Sequence, residues 1–247
     1  MIVYKMSTIY TFKFIKKEGY TMGAFKPVTN TNLYVEVINS ILNAIATGYL
    51  KSGEKIVEQT IANEMNISRA PIREAIRELA AQGILEYTPK KGATVAVLTK
   101  KSIEETYSLR AILESTAVIL AIDHITSDDL QKLKDLSKQM TISLKKQDIE
   151  TFIKNDIKFH SIIWEKSNHI KLQKLIENFV LQTQLYMRMS KYNMLVDSNL
   201  SLEYGVHDRL IQLIEKKDKK NAEEEMKNHI LTSGNVLVKY LIKNLVI

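Results

Sequence analysis

The stretch from Ile56 to Val97, IVEQTIANEMNISRAPIREAIRELAAQGILEYTPKKGATVAV, switches from a helical to a strand period within one short span, and few folds accommodate that. Its first part reads as two short helices joined by a tight turn. In the second of these, Ile72, Ala75, Ile76 and Leu79 make one apolar stripe, while Arg69, Arg73 and Arg77 recur every four residues on another face. Ser68 offers a side-chain oxygen to the first unpaired amides, and Pro71 sits in the first turn, where a missing N–H costs little. The helix therefore starts near Ser68. Gly83 stops it, Ile84 to Thr88 can extend as a strand, Pro89-Lys90-Lys91-Gly92 forms a basic turn, and Ala93 to Leu98 alternates as a returning strand. Upstream, Leu33, Val37, Ile38, Ile41, Leu42 and Ile45 keep helical spacing up to Gly48 and supply a support helix. The outline is a winged helix-turn-helix.

A row of guanidinium groups beside a helix N-terminus suits phosphates and base edges, because amides and dipole favour anions and Arg grips guanine bidentately. DNA is the natural partner. The same residues could also be a solvated face in which Arg73, Glu74, Arg77 and Glu78 pair along the helix. The lysine-tipped hairpin favours the first reading. SRAPIREAIRELAAQGIL followed by PKKGATVA resembles the DNA-binding domain of the GntR family of bacterial transcription regulators over its whole length. That resemblance implies a role in DNA contact for Ser68, Arg69, Arg73 and Arg77, and for Lys90, Lys91 and Gly92 in the wing. Ala70 stands where relatives usually carry threonine, and Gln59 where some carry a basic residue, so one contact is in doubt at each.

Charge is uneven along the chain. Residues 1–100 hold thirteen Lys and Arg against eight Asp and Glu, and the rest holds twenty-two against twenty. The positive excess thus gathers where a polyanion would bind. At 247 residues the chain has room for two domains, expected at 27–98 and 102–247. Residues 1–26 build no apolar face and read as a poorly ordered extension, with Met22 a candidate true start. Their apolar positions are interrupted by Lys5, Lys13, Lys16 and Lys17, so they lack a signal-peptide core. There is no cysteine, which removes thiolate metal sites and fits a reducing cytoplasm. No apolar run is long enough to span a membrane.

Beyond Thr99-Lys100-Lys101-Ser102, a polar joint, only helical periodicity remains. Helices are expected at 102–124, 127–146, 148–166, 169–190, 198–216 and 218–245. The fold class is therefore mainly α, a winged helix-turn-helix followed by an all-α antiparallel bundle. Three histidines fall on apolar stripes. The inward face of 148–166 reads Phe152, Ile153, Asp156, Ile157, His160, Ile163 and Trp164; His207 aligns with Leu210, Ile211 and Ile214, and His229 with Met226, Ile230, Val236 and Leu237. Burying such groups unpaired costs roughly 2–7 kcal/mol for each neutral one and more for the charge. They must satisfy one another as a hydrogen-bonded cluster or share an ion. Three imidazoles and a carboxylate suit Zn²⁺ or Ni²⁺. His124 and His169 lie at helix ends and read as surface or capping residues.

The bundle, joined to such a reader, is similar to the FCD type of effector domain in the FadR-like branch of the GntR family. Its metal-binding subset has a DxxxH followed by two later histidines, which makes Asp156, His160, His207 and His229 the implied ligands. Arg110 lies in register with Ile103, Ala117 and Ala121 on an inward face, and a buried guanidinium needs an anion. Either Glu114 supplies it four residues on, or, as the RxxxE start of FCD domains implies, Arg110 holds the carboxylate of a small organic acid effector, with Asn168 and Arg188 further along the cavity wall. The whole then reads as a non-enzymatic, homodimeric repressor of operator DNA. A metal-dependent hydrolase using the same His/Asp set is the rival, although no HExxH or comparable signature occurs.

Overall fold

The computed structural model describes residues 31–194 and 206–244. The expected extension at 1–26 and the expected helix start at 198 lie outside them. The chain begins with α1 (Thr31–Ala46), whose Val37, Ile38, Ile41, Leu42 and Ile45 are buried. Then follow β1 (Lys55–Ile56), α2 (Glu58–Met65), α3 (Arg69–Ala81), β2 (Leu85–Thr88) and β3 (Gly92–Val95). Asn66 makes the turn between α2 and α3 at φ 51, a left-handed conformation that Asn tolerates better than most residues. Ile72, Ala75, Ile76 and Leu79 are buried, as their spacing requires. Gly83, at φ 67, releases the chain into β2.

Two details depart from the expectation. The wing is a three-stranded sheet in the order β1-β3-β2, with Ile56 opposite Ala93 and Leu85 opposite Val95. A strand of two residues is too short to leave an alternation in sequence. Ser68 occupies the N-cap position of α3, but its hydroxyl makes no capping bond. It is exposed and faces the same solvent as the arginines.

The rest is helical: α4 (Lys100–Ala121), α5 (Ser127–Lys145), α6 (Ile149–Lys166), α7 (Ile170–Glu177), α8 (Val180–Met194), α9 (Val206–Glu215) and α10 (Lys219–Asn244). The Thr99–Ser102 joint is in fact a capping box, each side chain taking the other's amide, so α4 begins earlier than its apolar pattern. The helix expected at 169–190 is two. Asn178 and Phe179 turn the chain, and Gln82 of the winged part accepts the Leu181 amide with its side-chain oxygen at 3.3 Å, supplying at the start of α8 a partner that a continuous helix would not need. His169 caps α7, its Nδ1 accepting the Leu172 amide at 3.1 Å.

The most extensive helix pair is α4 with α10. Gly234 makes it possible: a Cβ there would lie 2.7 Å from Cβ and Cγ of Tyr107. Gly234→Ala should therefore destabilise the protein by about 2 kcal/mol through overpacking, seen as a lower urea midpoint at unchanged slope. The winged part rests on α8. Gln182 donates to the Gln82 carbonyl and accepts from Thr106, and Arg188 reaches Asn39 of α1 at 3.2 Å while pairing with Glu150 of α6 at 3.1 Å. No helix among the described residues is long and apolar enough to cross a membrane.

Candidate metal centre and nucleic-acid interface

Three helices bring their polar intruders to one point. Asp156 and His160 project from one face of α6, His207 from the first turn of α9 and His229 from the middle of α10; all four are buried. Each offers one donor atom, and the four lie within 4.8 Å of one another. His207 Nε2 is 3.3 Å from Asp156 Oδ1, and His160 Nε2 is 3.4 Å from His229 Nε2, with those two rings stacked at an interplanar angle of 7°.

These spacings bear on what the cluster can hold. Donors held at 2.0–2.1 Å around a tetrahedral Zn²⁺ are separated by about 3.3 Å, close to the two shortest gaps. His207 Nε2 is buried with only the contact to Asp156 Oδ1, which lacks good hydrogen-bond geometry, and two stacked imidazoles approach each other nitrogen to nitrogen. A divalent cation would satisfy all of these at once. The donors, nitrogen and oxygen only, fit zinc or nickel and exclude metals that demand thiolate.

Behind the cluster lies a carboxylate whose role the sequence concealed. Glu114 of α4 is fully buried and receives Arg110 Nε and Nη2, both at 2.8 Å, and Trp164 Nε1 at 3.1 Å. His160 Nδ1 lies 2.7 Å from its other oxygen. Burial alone would raise the Glu114 pKa, but Arg110 and then His160 outweigh it and hold the group at about 2. A carboxylate on Nδ1 fixes the tautomer and turns the Nε2 lone pair toward the cluster, the arrangement that metal-binding histidines use. The same contact raises the His160 pKa against the opposing effect of burial. His229 has no such partner, and burial followed by the charge of its neighbouring histidines pushes its pKa well down. Asp156 stays ionised, since the surrounding imidazoles, His207 foremost, overcome the burial that would protonate it. The only sequence signal for Glu114 was its spacing of four from Arg110 on an apolar helix face.

Arg110 and Glu114 do pair, and Arg110 also borders a narrow cavity of about 40 Å³ together with Asp156, His207 and His229. Asn168 does not belong there. It is exposed at φ 52 just past the end of α6, where a short polar residue in the left-handed region ends the helix. Arg188 is also absent from the cavity wall; its neighbour Met187 lines it instead.

On the winged part, Arg69, Arg73 and Arg77 are exposed on α3, as are Lys90 and Lys91 in the wing, where Gly92 has φ 91. The row is not entirely free. Glu58, the first residue of α2, accepts Arg69 Nη2 at 2.7 Å and Arg73 Nε at 2.8 Å on a single oxygen. Those hydrogen bonds, Arg69's first, lower the Glu58 pKa. The pairs within α3 that a merely solvated face would form are not among the ion pairs of the described residues.

Comparison with known proteins agrees with this anatomy. Residues 33–95 match the family described as bacterial regulatory proteins, gntR family, and residues 105–232 match the FCD domain. The HTH-type transcriptional regulator YdhC of Bacillus subtilis is 30% identical over 215 residues, spanning 87% of this chain and 93% of its own. The gluconate operon transcriptional repressor of the same organism is 32% identical over 196 residues, 75% of this chain and 76% of its own. Among solved structures, E. coli McbR/YncC superposes with a TM-score of 0.70 at 24% identity, over 84% of this chain and 97% of its own, a likeness of fold. Relatives named as regulators leave the hydrolase reading without support. An arginine-bearing helix beside a lysine-tipped wing, set in front of an all-helical domain that matches FCD, makes this chain a DNA-binding transcriptional regulator belonging to the GntR family.

Proposed function

We propose that the protein is a homodimeric repressor whose hold on operator DNA is set by a small carboxylate bound beside a divalent metal in the helical domain. The observation that carries this reading is the buried cluster Asp156, His160, His207 and His229 opening onto the same cavity as Arg110. A metal there would supply a Lewis-acidic anchor for an oxygen of the ligand. Arg110, whose Nε and Nη2 are held by Glu114, keeps Nη1 outside that pair and can meet a second oxygen.

The ligand's occupancy has a physical route to the DNA reader. Met187 lines the cavity, and the next residue, Arg188, bridges Glu150 of α6 to Asn39 of α1. A shift of α8 by the bound acid would be felt at the support helix of the winged domain. Two copies reading two half-sites then change spacing together. Leu109, Ile112 and Leu120, exposed along α4, support a pairing surface between copies.

The test uses the full chain. Zinc at about a hundred times its Kd should add about 2.7 kcal/mol to the unfolding free energy, and His207→Ala should erase that gain. Melting that ignores zinc and nickel alike would remove the metal from the scheme. Operator duplex selected from a random pool should be bound by a dimer, with affinity shifted roughly 5–150-fold by the effector.

A further inference from the structure

The cavity beside the cluster has few polar groups in its wall. Among the described residues, its charged and imidazole groups are Arg110, Asp156, His207 and His229, the last three with ligand atoms within 4.8 Å of one another, and the rest of the wall is mostly apolar, with Leu144, Phe152, Ile153, Met187, Val236 and Leu237 beside a phenol at Tyr107 and a hydroxyl at Ser233. From this we infer that the effector is a short-chain aliphatic monocarboxylate, its oxygens confined to one end and its hydrocarbon tail laid against α6 and α10. The inference rests on the proposed acid site and names the class of acid that the site accepts.

Three physical arguments converge. The cavity, about 40 Å³, holds a body of only a few carbon atoms, since a single water needs roughly 10–15 Å³ of the same measure. A second carboxylate would find no further cationic side chain, because among the described residues Arg110 is the one Lys or Arg in a wall that is otherwise mostly apolar. A polyhydroxy acid would bring several hydroxyls against Leu, Ile and Val with Ser233 and Tyr107 as the hydroxyl-bearing wall residues, and buried hydroxyls without partners oppose binding. An aliphatic tail pays none of these penalties. Each methylene it buries strengthens binding roughly fourfold.

Calorimetric titration of the full chain, loaded in parallel with zinc and with nickel, should compare isovalerate with acetate, gluconate, succinate and citrate. Isovalerate should bind about sixtyfold more tightly than acetate, from its three additional carbons, and at least tenfold more tightly than gluconate, succinate or citrate. If gluconate or citrate binds as tightly as isovalerate, the aliphatic assignment fails while the acid-sensing reading stands. Equal affinities for acetate and isovalerate would likewise overturn it, because the tail would then be in water. If metal binds and none of the acids does, the effector reading itself falls and takes the inference with it. Val236→Thr keeps the shape of a half-buried wall residue and adds a hydroxyl, so it should narrow the ratio between isovalerate and gluconate. An unchanged ratio would overturn the placement of the tail against α10.

Discussion

Replacing Glu114 with alanine should cost about 3–5 kcal/mol of stability, the largest effect expected from any single substitution in the helical domain. The carboxylate has no exposure and receives two nitrogens of Arg110, the Trp164 indole and the contact of His160. Its removal leaves a guanidinium ionised in the interior with no anion beside it, and an indole N–H and an imidazole nitrogen without acceptors. A deleted partner in such a pair is much more costly than the pair itself is stabilising. Glu114→Gln preserves volume and one acceptor, so it should retain the fold at reduced stability and isolate the second consequence. Without a carboxylate on Nδ1, His160 loses its fixed tautomer, and zinc affinity should fall about 10–100-fold. Urea unfolding and a zinc titration measure the two effects separately. Wild-type stability in the alanine variant would mean that Arg110 is served by some other group; wild-type zinc affinity in the glutamine variant would mean that His160 is oriented by something else.

Arg73→Ala should lower affinity for a selected operator by about 100-fold while leaving thermal unfolding unchanged, because one bidentate guanine contact is worth roughly 1–3 kcal/mol and the proposed dimer would carry two. Arg73 is half-exposed on α3, with no part in the core. Glu58 engages its Nε, which leaves Nη1 and Nη2 outside that pair and able to meet a base. Affinity for random duplex should fall far less, by the share of one phosphate charge, and the salt slope should change little. Fluorescence anisotropy at physiological salt with operator and scrambled duplexes separates the cases. Equal losses on both duplexes would make Arg73 a backbone contact rather than a reader of sequence.

Legibility varied with the physical nature of each feature. The apolar stripe of α3, the inward face of α6 and the stops at Gly48 and Gly83 were readable because periodicity and left-handed backbone are local properties of a chain. The four cluster residues were readable as interruptions: charge or imidazole where grease belongs. Asn168 and Arg188 were assigned to the cavity wall on weaker grounds, and both lie elsewhere: Asn168 falls just past the end of α6, where the turn sets its direction, and Arg188, in the middle of α8, is drawn to Glu150 and Asn39. The break between α7 and α8 left no proline or glycine in the sequence, because its partner, Gln82, comes from the winged part.

Taken alone, the order of residues determined that this chain is a winged reader followed by helices, and that one aspartate and three histidines sit on inward faces. Those are consequences of spacing along a single element. Only the tertiary structure decided that the four converge within 4.8 Å, that Glu114 steadies one of them from a different helix, that Glu58 gathers two arginines, and that the neighbouring cavity is walled mostly by apolar side chains. Each of these is a meeting between elements distant in the chain, set by how their ridges pack, and nothing local records which distant face will arrive.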